Sequence, residues 1–373
     1  MNKEVLFGKT LAEIEALAAG LGEPKFRARQ IMDWLDKGVA SFAEMKNLPA
    51  GLRAKLGDAA AVLPCEIVKV LESKDGGTKK LLLGFSTPHQ NRGAVLTPPQ
   101  GGSCLIETVL MRTRYGNSVC VSSQAGCAMG CAFCASTLRG FSRNLTANEM
   151  MAQVAAAQSL LVNERVSHVV IMGSGEPLLN LDNVLEFIEK LNTPHQNRGA
   201  VLTPPQGGSC RGGISYRKIT LSTCGVVPGI DRLTEWGKPI NLALSLHAPD
   251  DELRSRIMPI NAKYPIAEVM AATDRWQAAT KRQLTAEYIV LGGVNDSAGH
   301  AEGLADLIGS RDVFVNLIPF NPVAEREFIA PSGNAVHRMK DALEARKIPC
   351  AIRFERGADI QSACGQLRNG QKI

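Results

Sequence analysis

Four cysteines fall within fifteen residues, in "CVSSQAGCAMGCAFC" at 120–134. Cys127, Cys131 and Cys134 form a C-x3-C-x2-C array, with Gly126 and Gly130 giving freedom where the backbone must turn tightly. Three thiolates on one short loop suit a metal centre with one coordination position left open. A structural zinc site would bring four protein ligands and paired C-x2-C knuckles, and no second knuckle occurs in the chain. Iron–sulfur clusters are held by cysteine thiolates, so a cubane on these three would keep one iron free for a small molecule. Cys120 stands outside the array, and a buried strand thiol is its plain alternative.

The elements that must position this loop are legible from residue 118 onward. The apolar runs "SVCVSS", "HVVIM", "KITLST", "INLALSL", "AEYIVL" and "VFVNLIP" alternate with helical patterns, the first opening on the capping pair Thr146 and Glu149. Six strand–helix units predict an α/β fold with a parallel sheet, open or curled towards a barrel. The polar motifs all fall at strand ends: the cysteine loop, "GSGEP", Ser222, "SLH", "GGVND" and "PFN". Ligands bind parallel α/β sheets at the carboxyl ends of the strands, so these motifs should converge on one mouth. Glu107 in "LIETVL" sits among apolar residues, where an isolated charge is costly.

Ahead of this region the chain reads differently. Thr10 and Glu13 form a capping-box pattern before Leu11, Ile14 and Leu17, with Gly20 at the exit. Phe26, Ile31, Trp34 and Leu35 follow at near-helical spacing. Asp75-Gly76-Gly77 between apolar runs signals a hairpin. An 18-residue segment, "TPHQNRGAVLTPPQGGSC", occurs at 87–104 and again, identical, at 193–210. Each copy is rich in proline and glycine and lacks strand or helix periodicity, so both read as inserted loops.

The chain has 373 residues and ten cysteines. It has no apolar run of about 18 residues and no apolar leader at its start, which places it in the cytoplasm, away from membranes. Thiols stay reduced there, so a tight cysteine cluster favours metal binding or catalysis over disulfides. Its 42 basic and 36 acidic side chains give a net charge of +6, which permits a nucleic-acid partner without requiring one.

The cysteine loop resembles that of radical S-adenosylmethionine (SAM) enzymes. With "GFSRNLTANEMMAQV", "GSGEPLLN", "ITLSTCGVVPGI", "LALSLHAPDDELR", "NLIPFNP" and "ERGADIQSACGQL", the chain is similar to the RlmN-like RNA adenosine C2-methyltransferases from about residue 22 to about 368. The resemblance implies a partial (β/α)6 radical SAM barrel with a [4Fe–4S] cluster and SAM. It divides the chain into an N-terminal helical accessory domain (1–62), a β-rich connecting segment with its insert (63–117), the radical SAM core (118–355) and a catalytic tail (356–373). Carbon 2 of adenine is electron-poor and cannot attack the SAM methyl, so a radical route is needed. By motif position, Cys364 would carry a methyl that becomes a carbon radical and adds to carbon 2. Cys120 would resolve the protein–RNA adduct, with Glu107 as proton acceptor. Gly175, Glu176, Ser222, Ser245, Leu246, His247 and Asn321 match SAM-contacting positions.

Further implications are 23S ribosomal RNA and certain transfer RNAs as substrates, an electron donor such as flavodoxin or ferredoxin, and a monomer. Alternatives are the sister carbon 8 methylation and a non-catalytic iron–sulfur RNA-binding module.

Overall fold

Thr10 opens the first helix as its sequence requires. Its hydroxyl accepts the Glu13 amide at 3.3 Å, and the Glu13 carboxylate accepts the Thr10 amide at 2.7 Å. The computed structural model describes residues 4–7, 9–36, 39, 41–86, 103–162, 164–193, 213–353, 357–362 and 365–367. Almost all of both 18-residue copies, and Cys364, lie outside them. A short parallel pair, β1 (Glu4–Val5) and β2 (Ala60–Ala61), brackets helices α1 (Leu11–Gly20), α2 (Phe26–Asp36) and α3 (Ala50–Ala59). Leu6, Ile14, Ile31, Met45 and Leu56 are fully buried there. Two expected details differ. The left-handed exit from α1 is at Gly22 rather than Gly20, and Phe26 is exposed, with the Arg27 guanidinium over its ring.

Strands β3 (Glu66–Glu72) and β4 (Thr78–Ser86) turn at the Asp75-Gly76-Gly77 signal, where the Asp75 carboxylate accepts the Gly77 amide. Strands β5 (Ser103–Thr113) and β6 (Gly116–Cys120) continue the antiparallel order. A two-stranded ribbon, β7 (Gln124–Gly126) with β8 (Phe141–Asn144), flanks the cysteine loop. The alternating region then runs α4 (Ala147–Gln158), β9 (Val166–Ile171), α5 (Leu181–Asn192), β10 (Ile219–Thr223), α6 (Val227–Trp236) and β11 (Asn241–Ser245). It continues through α7 (Asp251–Ile257), α8 (Ile266–Thr280), β12 (Leu284–Val290), α9 (Ala298–Ile308), β13 (Val313–Pro319), α10 (Gly333–Ala345) and β14 (Cys350–Ile352).

Strands β3–β6 and β9–β14 form one ten-stranded sheet, ordered β14-β13-β12-β11-β10-β9-β6-β5-β4-β3. From β6 to β14 all pairings are parallel, so a seventh parallel strand, β14, joins the six read from sequence. The sheet has two distinct faces. On the antiparallel strands one face, with Leu81, Leu83, Phe85, Ile106, Leu110 and Val119, belongs to the core. Register puts Lys80 opposite Val109 and Val109 opposite Cys120, so Lys80, Glu107 and Cys120 share the other face. Helix α4 is pinned behind the core face by Gln153, which bonds the Thr108 hydroxyl and both backbone groups of Ser122.

Candidate active site

The cysteine loop is shaped by its own backbone. Gly126 has φ 82°, and a Cβ there would sit 1.9 Å from the Gly140 carbonyl, so only glycine fits where β7 meets the loop. The Ala132 amide donates to Ile257 at the end of α7. Arg326 donates to the Cys134 carbonyl at 2.7 Å, and the Thr137 hydroxyl donates to the carbonyls of Cys131 and Cys134. Cys127 and Cys131 are buried and Cys134 half-buried, all three on the wall of one cavity. Burial pushes the Cys127 thiol up to about 11 and Cys131 higher still. They therefore stay protonated at neutral pH until a cation displaces the protons. Among the described residues no three His, Cys, Asp or Glu side chains converge as a single ion requires. Three thiols on the wall of one cavity, two buried and one half-buried, fit a cluster, whose thiolates bind separate irons.

That cavity, about 890 Å³ with its open mouth, is lined by residues from Ile171 on β9 to Arg353 beyond β14. The sheet therefore curls around it. Gly175, Glu176, Ser222, Ser245 and His247 all lie on its wall, as their strand-end positions required. At Gly175, φ is 105° and a Cβ would fall 2.6 Å from the Gln124 side chain, so only glycine fits against β7 there. The Glu176 carboxylate accepts the Leu178 and Cys224 amides at 3.0 and 2.8 Å, tying the ends of β9 and β10 together. Burial raises its pKa, opposed by the bonds from Cys224. The Ser222 and Ser245 hydroxyls are 3.3 Å apart.

His247 has a left-handed backbone, φ 62°, unusual for a non-glycine residue and a form of strain that clusters at functional sites. Its Nδ1 accepts the Ile289 amide at 2.9 Å, which leaves the ring proton on Nε2. Burial, and secondarily the Arg254 charge, lower its pKa to about 3. The neutral ring meets Phe133 of the cysteine loop edge to face, centroids 5.0 Å apart. Leu246 and Asn321, also expected at the ligand, are buried but not on the wall. The Leu246 carbonyl accepts from Arg254.

Sequence reading passed over several groups. Arg254, fully buried, donates to the carbonyls of Cys224, Ser245 and Leu246 and to the Asn261 side chain. Asn295, in "GGVND", clamps the backbone of His247, Ile289 and Leu291 rather than facing the cavity. Glu287 lines the cavity with one oxygen held by Asn316 and the other 3.7 Å from Arg353. Only its inward place on β12 marks Glu287, and that needs the register to see.

Glu107 and Cys120 lie outside this wall, on one sheet face, three and two strands from β10 respectively. Glu107 is buried and pairs with Lys80 at 3.0 Å; Cys120 is half-buried at the end of β6. Around Cys364 the structure gives the flanks. Lys74 donates to Asp359, Ala135 to the Gly365 carbonyl at 2.8 Å, and the Ser136 hydroxyl to the Leu367 carbonyl at 2.9 Å. Gly365 lines the cavity with the three thiols. Several basic side chains are already engaged: Lys25 pairs with Glu15 and Arg143 with Glu149, while Arg114 covers the exposed Tyr115 ring. No helix of the described residues is long and apolar enough to cross a membrane.

Residues 121–302 match the family profile of the radical SAM superfamily, and 5–62 that of the ribosomal RNA large subunit methyltransferase N-terminal domain. A probable dual-specificity RNA methyltransferase RlmN from Symbiobacterium thermophilum is 44% identical over 99% of this chain and 92% of its own. One of the same description from Desulforamulus reducens is also 44% identical, over 98% and 96%. The crystal structure of a radical SAM methyltransferase from Sphaerobacter thermophilus, 39% identical, superposes with a TM-score of 0.78 over 98% of this chain and 99% of its own.

Proposed function

Because the chain belongs to the RlmN family of radical SAM RNA methyltransferases, we propose that it methylates carbon 2 of adenosine in 23S ribosomal RNA and in transfer RNA, acting in the cytoplasm as a monomer supplied with electrons by a flavodoxin or ferredoxin. Cys127, Cys131 and Cys134 would hold the [4Fe–4S] cluster. Gly175, Glu176, Ser222, Ser245 and His247 would form the SAM wall, with Leu246 and Asn321 behind it. When bound, the cluster and SAM supply the methyl group and the radical that activates it.

The protein's own residues then carry the transfer. Cys364 bears the methyl and joins carbon 2 through it, Glu107 accepts the carbon 2 proton, and Cys120 attacks the Cys364 sulfur. With the odd electron of the adduct returned to a bound cluster, the attack forms a Cys120–Cys364 disulfide and breaks the Cys364 sulfur–carbon bond, and the released carbon takes up a proton to complete the methyl group of the base. The observation that carries this reading is Gly365, the neighbour of Cys364 in sequence, on the wall of the three-thiol cavity. The test is anaerobic reconstitution with iron, sulfide, SAM, reductant and bacterial RNA, followed by mass spectrometry of the nucleosides. We expect 2-methyladenosine. Methylation at carbon 8 would move the enzyme to the sister activity, and a loaded cluster that never cleaves SAM would leave a binding module.

A further inference from the structure

Strand β4 carries adjacent lysines with opposite fates. Lys79 lies on the face of Leu81 and Leu83, at its solvent end, and pairs with Glu72. Lys80 points to the face shared with Glu107 and Cys120, where its side chain is 8% exposed and that of Glu107 7%. Its ammonium lies 3.0 Å from Glu107 Oε1 and donates to the Gln361 carbonyl at 3.1 Å. Gln361 is 281 residues away, in the segment that leads into Cys364.

We propose that Lys80 is a positioning residue of the methyl-transfer step, joining Glu107 to the chain that delivers Cys364. The proposal rests on the roles given above to Glu107, Cys120 and Cys364. Two facts set the pair apart from a stabilising ion pair. Burying a Lys–Glu pair gains little over a well-packed apolar pair, and β4 already buries Leu81, Leu83 and Phe85 fully on its other face. The ammonium also divides its donors between a carboxylate and a main-chain carbonyl, an arrangement that fixes one relative to the other. An ammonium beside a buried carboxylate favours the ionised form, which is the form able to accept a proton.

The same ammonium stands in the cross-strand row Lys80, Val109, Cys120, so it brings positive charge to the face of the resolving thiol. The tail has its own anchors further along, at Gly365 and Leu367 on the cysteine loop. Loss of Lys80 should therefore loosen the approach to Cys364 at Gln361 while leaving those later contacts in place.

The experiment uses full-length, cluster-reconstituted protein as parent, Lys80→Met and Lys80→Arg, with Lys80→Met/Glu107→Gln to restore neutrality should the single variant misfold. Three quantities are read: Cys364 methylation by peptide mass spectrometry, single-turnover transfer to RNA, and deuterium uptake by the 357–362 peptide. Lys80→Met should slow transfer about 10- to 100-fold, the size of a lost charge-assisted hydrogen bond, with a much smaller effect on Cys364 methylation. Its 357–362 peptide should exchange faster, and Lys80→Arg should recover most of the transfer. Equal losses in both half-reactions without rescue by arginine would reduce Lys80 to a structural residue, as would transfer at the parent rate. A parent that never methylates adenosine would instead remove the functional reading itself, and the role in transfer with it. If the neutral double variant is needed, its transfer is lost with Glu107 in any case, so deuterium uptake by 357–362 alone is read in it, and uptake at the parent rate would overturn the proposal.

Discussion

In the proposed reaction Cys120 and Cys364 play different parts, so removing each should stop it at a different place. Cys364→Ala leaves nothing to carry the methyl, so neither methylated protein nor covalent RNA complex should form. Cys120→Ala should still allow Cys364 to join carbon 2, and with no second thiol the complex should persist. Denaturing gels with labelled RNA should show a shifted protein–RNA band in the Cys120 variant and none in the Cys364 variant. Normal turnover by Cys120→Ala would demote that thiol to a strand residue. His247 gives a residue-scale prediction about stability. Its pKa falls from 6.5 to about 3 on folding, so between those values the unfolded chain binds a proton that the folded one refuses. Its contribution is complete above about pH 6.5 and is lost as pH falls towards 3, at up to about 1.4 kcal/mol per pH unit. Urea midpoints of the parent should therefore decline in acid more steeply than those of His247→Gln, and parallel slopes would contradict the buried neutral ring.

The two 18-residue copies, read from sequence as inserts, are each flanked by described residues that lie close together. Ser86 and Ser103 face each other across β4 and β5, and the Ile214 amide donates to the Leu191 carbonyl at 2.7 Å. Replacing 87–102 by Asn-Gly, a two-residue hairpin turn, and 194–212 by a short Gly-Ser link should shift stability by no more than about 1–2 kcal/mol. Cys104 must stay, because it belongs to β5 and its sulfur accepts from Arg143 at 3.0 Å. Thermal unfolding and RNA methylation of the excised protein check this; methylation lost with the fold and cluster retained would make the repeats RNA-binding. At this scale local chemistry was well signposted. The Thr10–Glu13 and Thr146–Glu149 capping boxes, the Asp75 turn and the six apolar strands are where their residues place them, since each depends on neighbours a few positions away. Three-residue β14 was not visible, because so short a strand has no periodicity to show. Nor was the union of β3–β5 with the parallel sheet, or the Lys80 bridge, which pairs residues 281 positions apart.

Across the whole molecule, the C-terminal segment ties the two ends of the chemistry together. Asp359 accepts from Lys74 in the β3–β4 turn, and Gln361 from Lys80 on β4. Gly365 and Leu367 accept from Ala135 and Ser136 beside Cys134, and Gln366 donates to Pro322 beyond β13. The tail thus runs from the antiparallel edge of the sheet to the cysteine loop, and its Gly365 forms part of the cavity wall. A wall of this kind should shield a bound cluster as well as deliver a thiol. Removing residues 357–373 takes away no cluster ligand, so iron and sulfide content after reconstitution should match the parent. Exposure to air should then bleach the truncated protein several-fold faster than full-length Cys364→Ala, which lacks the same thiol but keeps the wall. Visible absorbance followed over time gives both rates. Equal rates would mean that the tail only carries Cys364, whereas faster bleaching of the truncated form assigns it a second task, closing the cavity against oxidants while the cluster is loaded.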